Sequence, residues 1–244
     1  RIDNISDLAD AIMIARGDLG VEIPYEEVPV EQKMIVEKCI KFSKPVIIAT
    51  QMMESMITNF RPTRAETNDV ANAVSDGADA VMLSGETSIG NHPVEVIESM
   101  LNIIKYTESN VYQFYREREK IDFTKTFMPD SICCSACRLA EQAGAKAIIT
   151  FTYTGYTTIK VSSYRPKAQI FAFTANKELL CKLSLIWGVR GYLFEKYDNI
   201  DSAINFTIDY LKNNNLIQED DIIVHVGSIP LMERGQTNML KISY

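Results

Sequence analysis

The stretch Met13-Ile14-Ala15-Arg16-Gly17-Asp18-Leu19-Gly20-Val21-Glu22-Ile23-Pro24 decides the fold. Residues 11–15 form an unbroken apolar run, and it stops abruptly on a guanidinium, a glycine and a carboxylate. A run this short is too brief for a helix, and its continuous apolar character fits a strand buried on both faces. Two further runs of this kind follow, at residues 45–49 and 80–83. Each also ends in polar residues, Thr50-Gln51 in one case and Ser84-Gly85-Glu86-Thr87 in the other. Between the runs lie helical patterns over 30–42, with Met34, Ile35, Cys39 and Phe42 on one face, and over 64–74 and 93–106. Asp18, Thr50 and Ser84 recur about every 33 residues. That period also suits a helical solenoid, but the alternation of β-branched runs with helices points to βαβ units. Parallel α/β folds gather their chemistry where strands end and helices begin. The abrupt stop after Ala15 therefore reads as the rim of a barrel or a doubly wound sheet.

Three units do not close a (β/α)8 barrel and would leave sheet edges bare. The expectation is that another chain completes the sheet, or that this sequence is the tail of a longer one. Residues 106–122 are polar and helix-prone. A second αβ series follows, with helices expected at 131–143, 157–163, 176–187 and 200–212. Its strands are expected at 146–152, 169–174, 189–194, 222–226 and 239–243, the last of them antiparallel. The predicted class is α/β: a partial (β/α)8 barrel of three βα units, then a mostly parallel α/β sheet domain. The expected boundaries are 1–108 for the barrel part, 109–122 for a connecting helix and linker, and 123–244 for the second domain.

The chain has 244 residues and a net charge of −7, with 46% hydrophobic and 23% charged residues. This balance suits a globular protein with a real core. It argues against nucleic acid or an anionic membrane as the main partner. No apolar run reaches transmembrane length, and the N-terminus shows no signal-peptide pattern. Five cysteines, an odd number, fit a reducing compartment. The expected location is cytoplasmic.

Several local patterns could carry chemistry. At Arg16-Gly17-Asp18, the glycine lets backbone N–H groups approach an anion, and Asp18 is a hard oxygen ligand suited to Mg²⁺. The alternative is an ordinary turn with a solvated acid. Thr50 could hydrogen-bond a substrate carboxylate or cap the next helix. Ser84 and Glu86 could flank the same pocket or serve a turn. Thr152-Tyr153-Thr154-Gly155-Tyr156-Thr157 follows a strand and opens a helix, which suits either a phosphate or a capped turn. Cys133, Cys134 and Cys137 read as small apolar residues on a helix, since no second cluster at zinc spacing accompanies them. His225, inside an apolar strand, reads as a core histidine.

Taken in order, MIARGDLGVEIP, IIATQMMESM and RPTRAETNDVANAVSDGADAVMLSGET resemble pyruvate kinase closely, and YRPK and the terminal GQTN extend the resemblance over nearly the whole chain. The resemblance implies the last three βα units of that family's barrel, followed by its C-terminal effector and subunit-contact domain. It implies phosphoryl transfer from phosphoenolpyruvate to ADP, giving pyruvate and ATP, with Mg²⁺ and usually K⁺, in a homo-oligomer that is usually a tetramer. By position, Asp18 resembles a Mg²⁺ ligand. The N–H groups of Gly17 and Asp18 resemble donors to the substrate carboxylate, with the Thr50 hydroxyl beside them and near the carbon that is protonated. Ser84 and Glu86 resemble supporting residues on the neighbouring strand, and Arg16 resembles a brace for the loop.

The family's catalytic Lys and its second Mg²⁺ carboxylate lie in a Lys-x-Glu strand motif. Arg1-Ile2-Asp3-Asn4 mimics that motif but lies too close to Asp18. The Lys, the K⁺ ligands and the lid domain are therefore expected outside this chain, which on its own is expected to be inactive. The alternative is a non-catalytic module for effector binding and oligomerisation. The resemblance also implies an effector phosphate loop at Thr152, Thr154, Gly155, Tyr156 and Thr157, near Arg234 and Gly235. Sugar-bisphosphate-activated members place cations where this chain has Tyr153 and Tyr156. The expected effector is therefore a monophosphate, AMP or a sugar monophosphate, the alternative being a vestigial site.

Overall fold

The computed structural model describes residues 2–110, 114, 125–194, 199–229 and 236–244. The chain divides into two compact units, Arg1–Gln113 and Phe114–Tyr244.

In the first unit the order is α1 (Ile2–Leu8), β1 (Ile12–Ala15), α2 (Arg16–Glu22), α3 (Val28–Phe42), β2 (Val46–Ala49), α4 (Arg64–Asp76), β3 (Ala80–Val81), α5 (Gly85–Ser88) and α6 (Pro93–Asn110). The strands pair in parallel in the order β1-β2-β3, with Ile14 opposite Ile48 and Ala15 opposite Ala49. Side chains alternate across a strand. Ile14, Val46 and Ile48 are buried in a core with Val36 and Cys39 of α3, Val70 and Ala73 of α4, and Val96 and Met100 of α6. The other face is barer, and Met13 there is 54% exposed.

Local signals fix the helix ends. Thr63 accepts a hydrogen bond from the Glu66 amide, and Glu66 accepts one from the Thr63 amide, which completes a capping box at the start of α4. Gly77, at φ 101°, closes α4 in the left-handed conformation that glycine adopts without steric cost.

The structure corrects two expected details. Arg16–Glu22 is a helix and not an open turn. Helix α3 starts at Val28 and buries Val28, Gln32, Val36 and Cys39, whereas Phe42 is largely exposed.

The second unit comprises α7 (Phe127–Ala143), β4 (Ala147–Phe151), α8 (Tyr156–Ser163), β5 (Gln169–Thr174), α9 (Lys177–Leu183), β6 (Val189–Leu193), α10 (Ile200–Asn213), β7 (Ile223–Gly227) and β8 (Met239–Ser243). Its sheet order is β6-β5-β4-β7-β8, parallel except for β8, which runs antiparallel to β7. Strands β4 and β7 are buried along their whole length because helices cover both faces. One face packs on α7 and α8 through Ile148, Val224 and Val226, and the other on α10 through Ile149, Phe171 and Ile223. The helix expected over 176–187 ends at Leu183, and turns follow to Gly188. Most of the expected linker 109–122 lies outside the described residues. No helix among the described residues is long and apolar enough to cross a membrane.

Candidate active site

The parallel register places the C-terminal ends of β1 and β2 side by side, so the residues that follow Ala15 and Ala49 meet. Gly17 lies in the first turn of α2, where backbone N–H groups have no partner within the helix. Its N–H donates to the Thr50 hydroxyl at 3.0 Å. The same hydroxyl donates to the Ala49 carbonyl at 2.6 Å. A Cβ at Gly17 would lie 3.7 Å from that hydroxyl oxygen, an ordinary contact distance. The Gly17 amide, expected to face a substrate carboxylate, is thus held by Thr50 in this structure.

Asp18 follows on the same helical turn and is exposed. Its carboxylate has no hydrogen bond or ion pair among the described residues. Arg16 turns away from this opening. Its Nη1 donates to both carboxylate oxygens of Asp69 on α4, at 2.8 and 2.6 Å. Its Nη2 donates to the Thr50 carbonyl at 2.7 Å and lies 2.9 Å from the Met52 sulfur. Arg16 therefore braces the β2 end.

Glu86, in the short helix α5, is 3% exposed. Its carboxylate accepts the Met53 amide at 3.2 Å and the Ser84 amide at 2.7 Å, tying the ends of β2 and β3 together. Ser84 itself is exposed, and its carbonyl accepts a weak bond from the Thr87 hydroxyl at 3.3 Å. The structure thus gathers Gly17 and Thr50 directly, with Asp18 beside them on the same turn. Arg16 and Glu86 lie one layer back, bonded to backbone groups. Asp69 sits within the RPTRAETND stretch, but its partner is 53 positions away, so no local pattern announces its role.

In the second unit, two amides of the β4–α8 loop are taken by hydroxyls of the same loop. The Thr152 hydroxyl accepts the Gly155 N–H at 2.9 Å, and the Thr154 hydroxyl accepts the Tyr156 N–H at 3.4 Å. The Thr157 hydroxyl pairs with that of Thr237 at 2.7 Å. Gly155 has φ 91°, and a Cβ there would meet Leu179 at 2.8 Å. The Tyr156 hydroxyl donates to the buried Asp130, which also pairs with Lys160 at 3.0 Å. Burial, together with that bond to Asp130, raises the Tyr156 phenol far above its ordinary range. Arg234 and Gly235 lie outside the described residues. Cys133, Cys134 and Cys137 are buried thiols outside any disulfide, and no metal-ligating cluster occurs among the described residues.

Comparison with known proteins bears on both units. The pyruvate kinase barrel-domain model matches residues 1–97, and the pyruvate kinase alpha/beta-domain model matches residues 130–243. The chain belongs to the pyruvate kinase family. A pyruvate kinase of Clostridium acetobutylicum is 43% identical over 243 residues, covering 99% of this chain and 51% of the relative. A pyruvate kinase of Geobacillus stearothermophilus is 42% identical, covering 99% of this chain and 41% of the relative. A solved pyruvate kinase from Cryptosporidium parvum is 37% identical with a TM-score of 0.88, covering 99% of this chain and 48% of that one. The chain thus spans about half the length, or less, of the relatives it matches. The family membership accounts for the three parallel βα units as part of a barrel and for the α/β unit that follows.

Proposed function

We propose that the rim of the first unit is one wall of a phosphoryl-transfer site that converts phosphoenolpyruvate and ADP to pyruvate and ATP, a glycolytic step. The observation that carries this reading is the 3.0 Å contact between the Gly17 amide and the Thr50 hydroxyl, with the unpartnered Asp18 carboxylate on the same turn. Such a transfer needs positioning and charge neutralisation more than covalent help from the protein.

The residues fit Mg²⁺ on the donor chemistry. Asp18 is an exposed carboxylate without a competing cation, and Mg²⁺ takes one or two carboxylates with the rest of its shell from water and substrate. Asp18 would hold the ion, which when bound offsets charge on the transferring phosphoryl group. The amides of Gly17 and Asp18 lie in the first turn of α2 and would orient an anion there. A substrate carboxylate would take over the bond that Gly17 gives to Thr50, leaving the hydroxyl beside the reacting carbon. Three strands make only part of a closed barrel. The remaining wall, with the Lys and the K⁺ ligands, is assigned to further βα units, whichever polypeptide carries them.

The test is Asp18→Asn in the protein at its native length. A metal ligand contributes several kcal/mol of transition-state stabilisation, so turnover falls by about a hundredfold or more, and the Mg²⁺ concentration for half-maximal rate rises. Parent-like kinetics would remove Asp18 from the site.

A further inference from the structure

The chain leaves β2 through an uncommon backbone conformation. Thr50 and Gln51 have left-handed φ values of 68° and 53°. This region is sparsely populated by residues other than glycine, least of all by β-branched ones. It persists where the surroundings over-determine it, and such strain clusters at functional sites.

Here the surroundings are specific. On the carbonyl side, Arg16 Nη2 holds the Thr50 oxygen at 2.7 Å. The guanidinium is itself fixed because its other arm is held by both oxygens of Asp69. On the amide side, Glu86 accepts the Met53 N–H, and its second oxygen takes the Ser84 N–H. Beneath the turn, Met52, Met53 and Met56 are fully buried. Two charged side chains thus grip the strained turn from both ends, one reaching from the end of β1 and one from beyond β3. The hydroxyl between them meets Gly17.

We infer that Asp69, acting through Arg16, and Glu86 are positioning residues that hold Thr50 in its strained conformation and its hydroxyl against the Gly17 amide. The inference rests on the reading of Thr50 as a substrate-facing group only for its catalytic consequence. Both acids need the charge and both oxygens. Asparagine at 69 or glutamine at 86 turns an NH₂ group toward an N–H donor, so one of the two contacts is lost in each case.

The test has two arms. In the first, backbone amide exchange is followed residue by residue on the protein at native length. Asp69→Asn speeds exchange at Gly17 and Glu86→Gln speeds it at Met53, each by about tenfold or more, while β4 amides stay as they are. Asp69→Glu, which keeps an acid within reach of the guanidinium, restores most of the protection at Gly17. Parent-like exchange in both variants overturns the inference. So does an equal loss across β1 and β2, because the acids would then stabilise the sheet and position nothing.

In the second arm, the protein at native length is assayed for turnover. A displacement of the order of 1 Å costs up to a hundredfold in rate. Asp69→Asn therefore lowers kcat by roughly tenfold to a hundredfold while the KM for phosphoenolpyruvate moves only a few-fold. Loosened amides with an unaltered kcat would keep the positioning role and sink the reading of Thr50 as substrate-facing.

Discussion

His225 shows how one buried residue makes stability depend on pH. It sits in β7 opposite Lys241 of β8 and beside Ile149 of β4, and it is fully buried. Neither ring nitrogen has a hydrogen-bond partner among the described residues. Burial, reinforced by the Lys241 ammonium, lowers its pKa to about 4. That ammonium also pairs with Asp201 of α10 at 2.9 Å. The folded state therefore keeps the imidazole neutral where the unfolded chain, with a pKa of about 6.5, binds a proton. Between about pH 6.5 and 4 the unfolded state holds more protons, so stability is complete above that window and is lost as the pH falls through it. The loss amounts to about 3 kcal/mol at its acid end. The urea midpoint of the second unit should fall across this range. His225→Val should flatten the profile without lowering the midpoint at pH 7, because removing a buried polar group that lacks a partner is nearly neutral or stabilising. A parent profile already flat from pH 7 to 4 would refute this.

At the scale of elements, the β4–α8 loop makes a prediction about ligand choice. Its Gly155 and Tyr156 amides already have acceptors in Thr152 and Thr154, so a phosphate that bonds these amides has to displace both hydroxyls. The neighbouring cation, Lys160, is committed to Asp130. With Lys160 so engaged, the described part of the site forgoes charge-assisted bonds of about 1.5–3 kcal/mol each. Fructose 1,6-bisphosphate should therefore raise the melting temperature no more than AMP or ribose 5-phosphate does at equal concentration. A clear preference for the bisphosphate would show that this loop rearranges to recruit charge.

The apolar runs that became β1, β2 and the strands of the second sheet were readable because strands covered on both faces must be apolar throughout. Helix α2 was not, because Gly17 and Gly20 within seven residues depress helix propensity. The rim residues Gly17, Asp18 and Thr50 were legible from their place after strand ends. The brace between Arg16 and Asp69 was hidden because it depends on where α4 packs, which no local pattern encodes.

At the scale of the whole molecule, the two units differ in how well each buries its own apolar surface. The second sheet has helices on both faces, and its central strands β4, β5 and β7 are buried at nearly every position. The first sheet has its helices on one face only. Met13 on the other face is half exposed, and β1 and β3 are open edges. In a closed barrel that second face is the packed interior, filled by side chains from all the strands. Apolar faces and unpaired edges left uncovered invite association with other chains. Residues 125–244 produced alone should therefore keep a cooperative urea transition and stay monodisperse. Residues 1–110 produced alone should bind the dye ANS and associate in a concentration-dependent way. The physical reason lies in the side chains: the α/β unit finds partners for both sheet faces within its own sequence, and the three βα units do not. Sedimentation of the two pieces checks it, and a compact, monomeric, dye-silent 1–110 would show that three strands can satisfy themselves without the rest of a barrel.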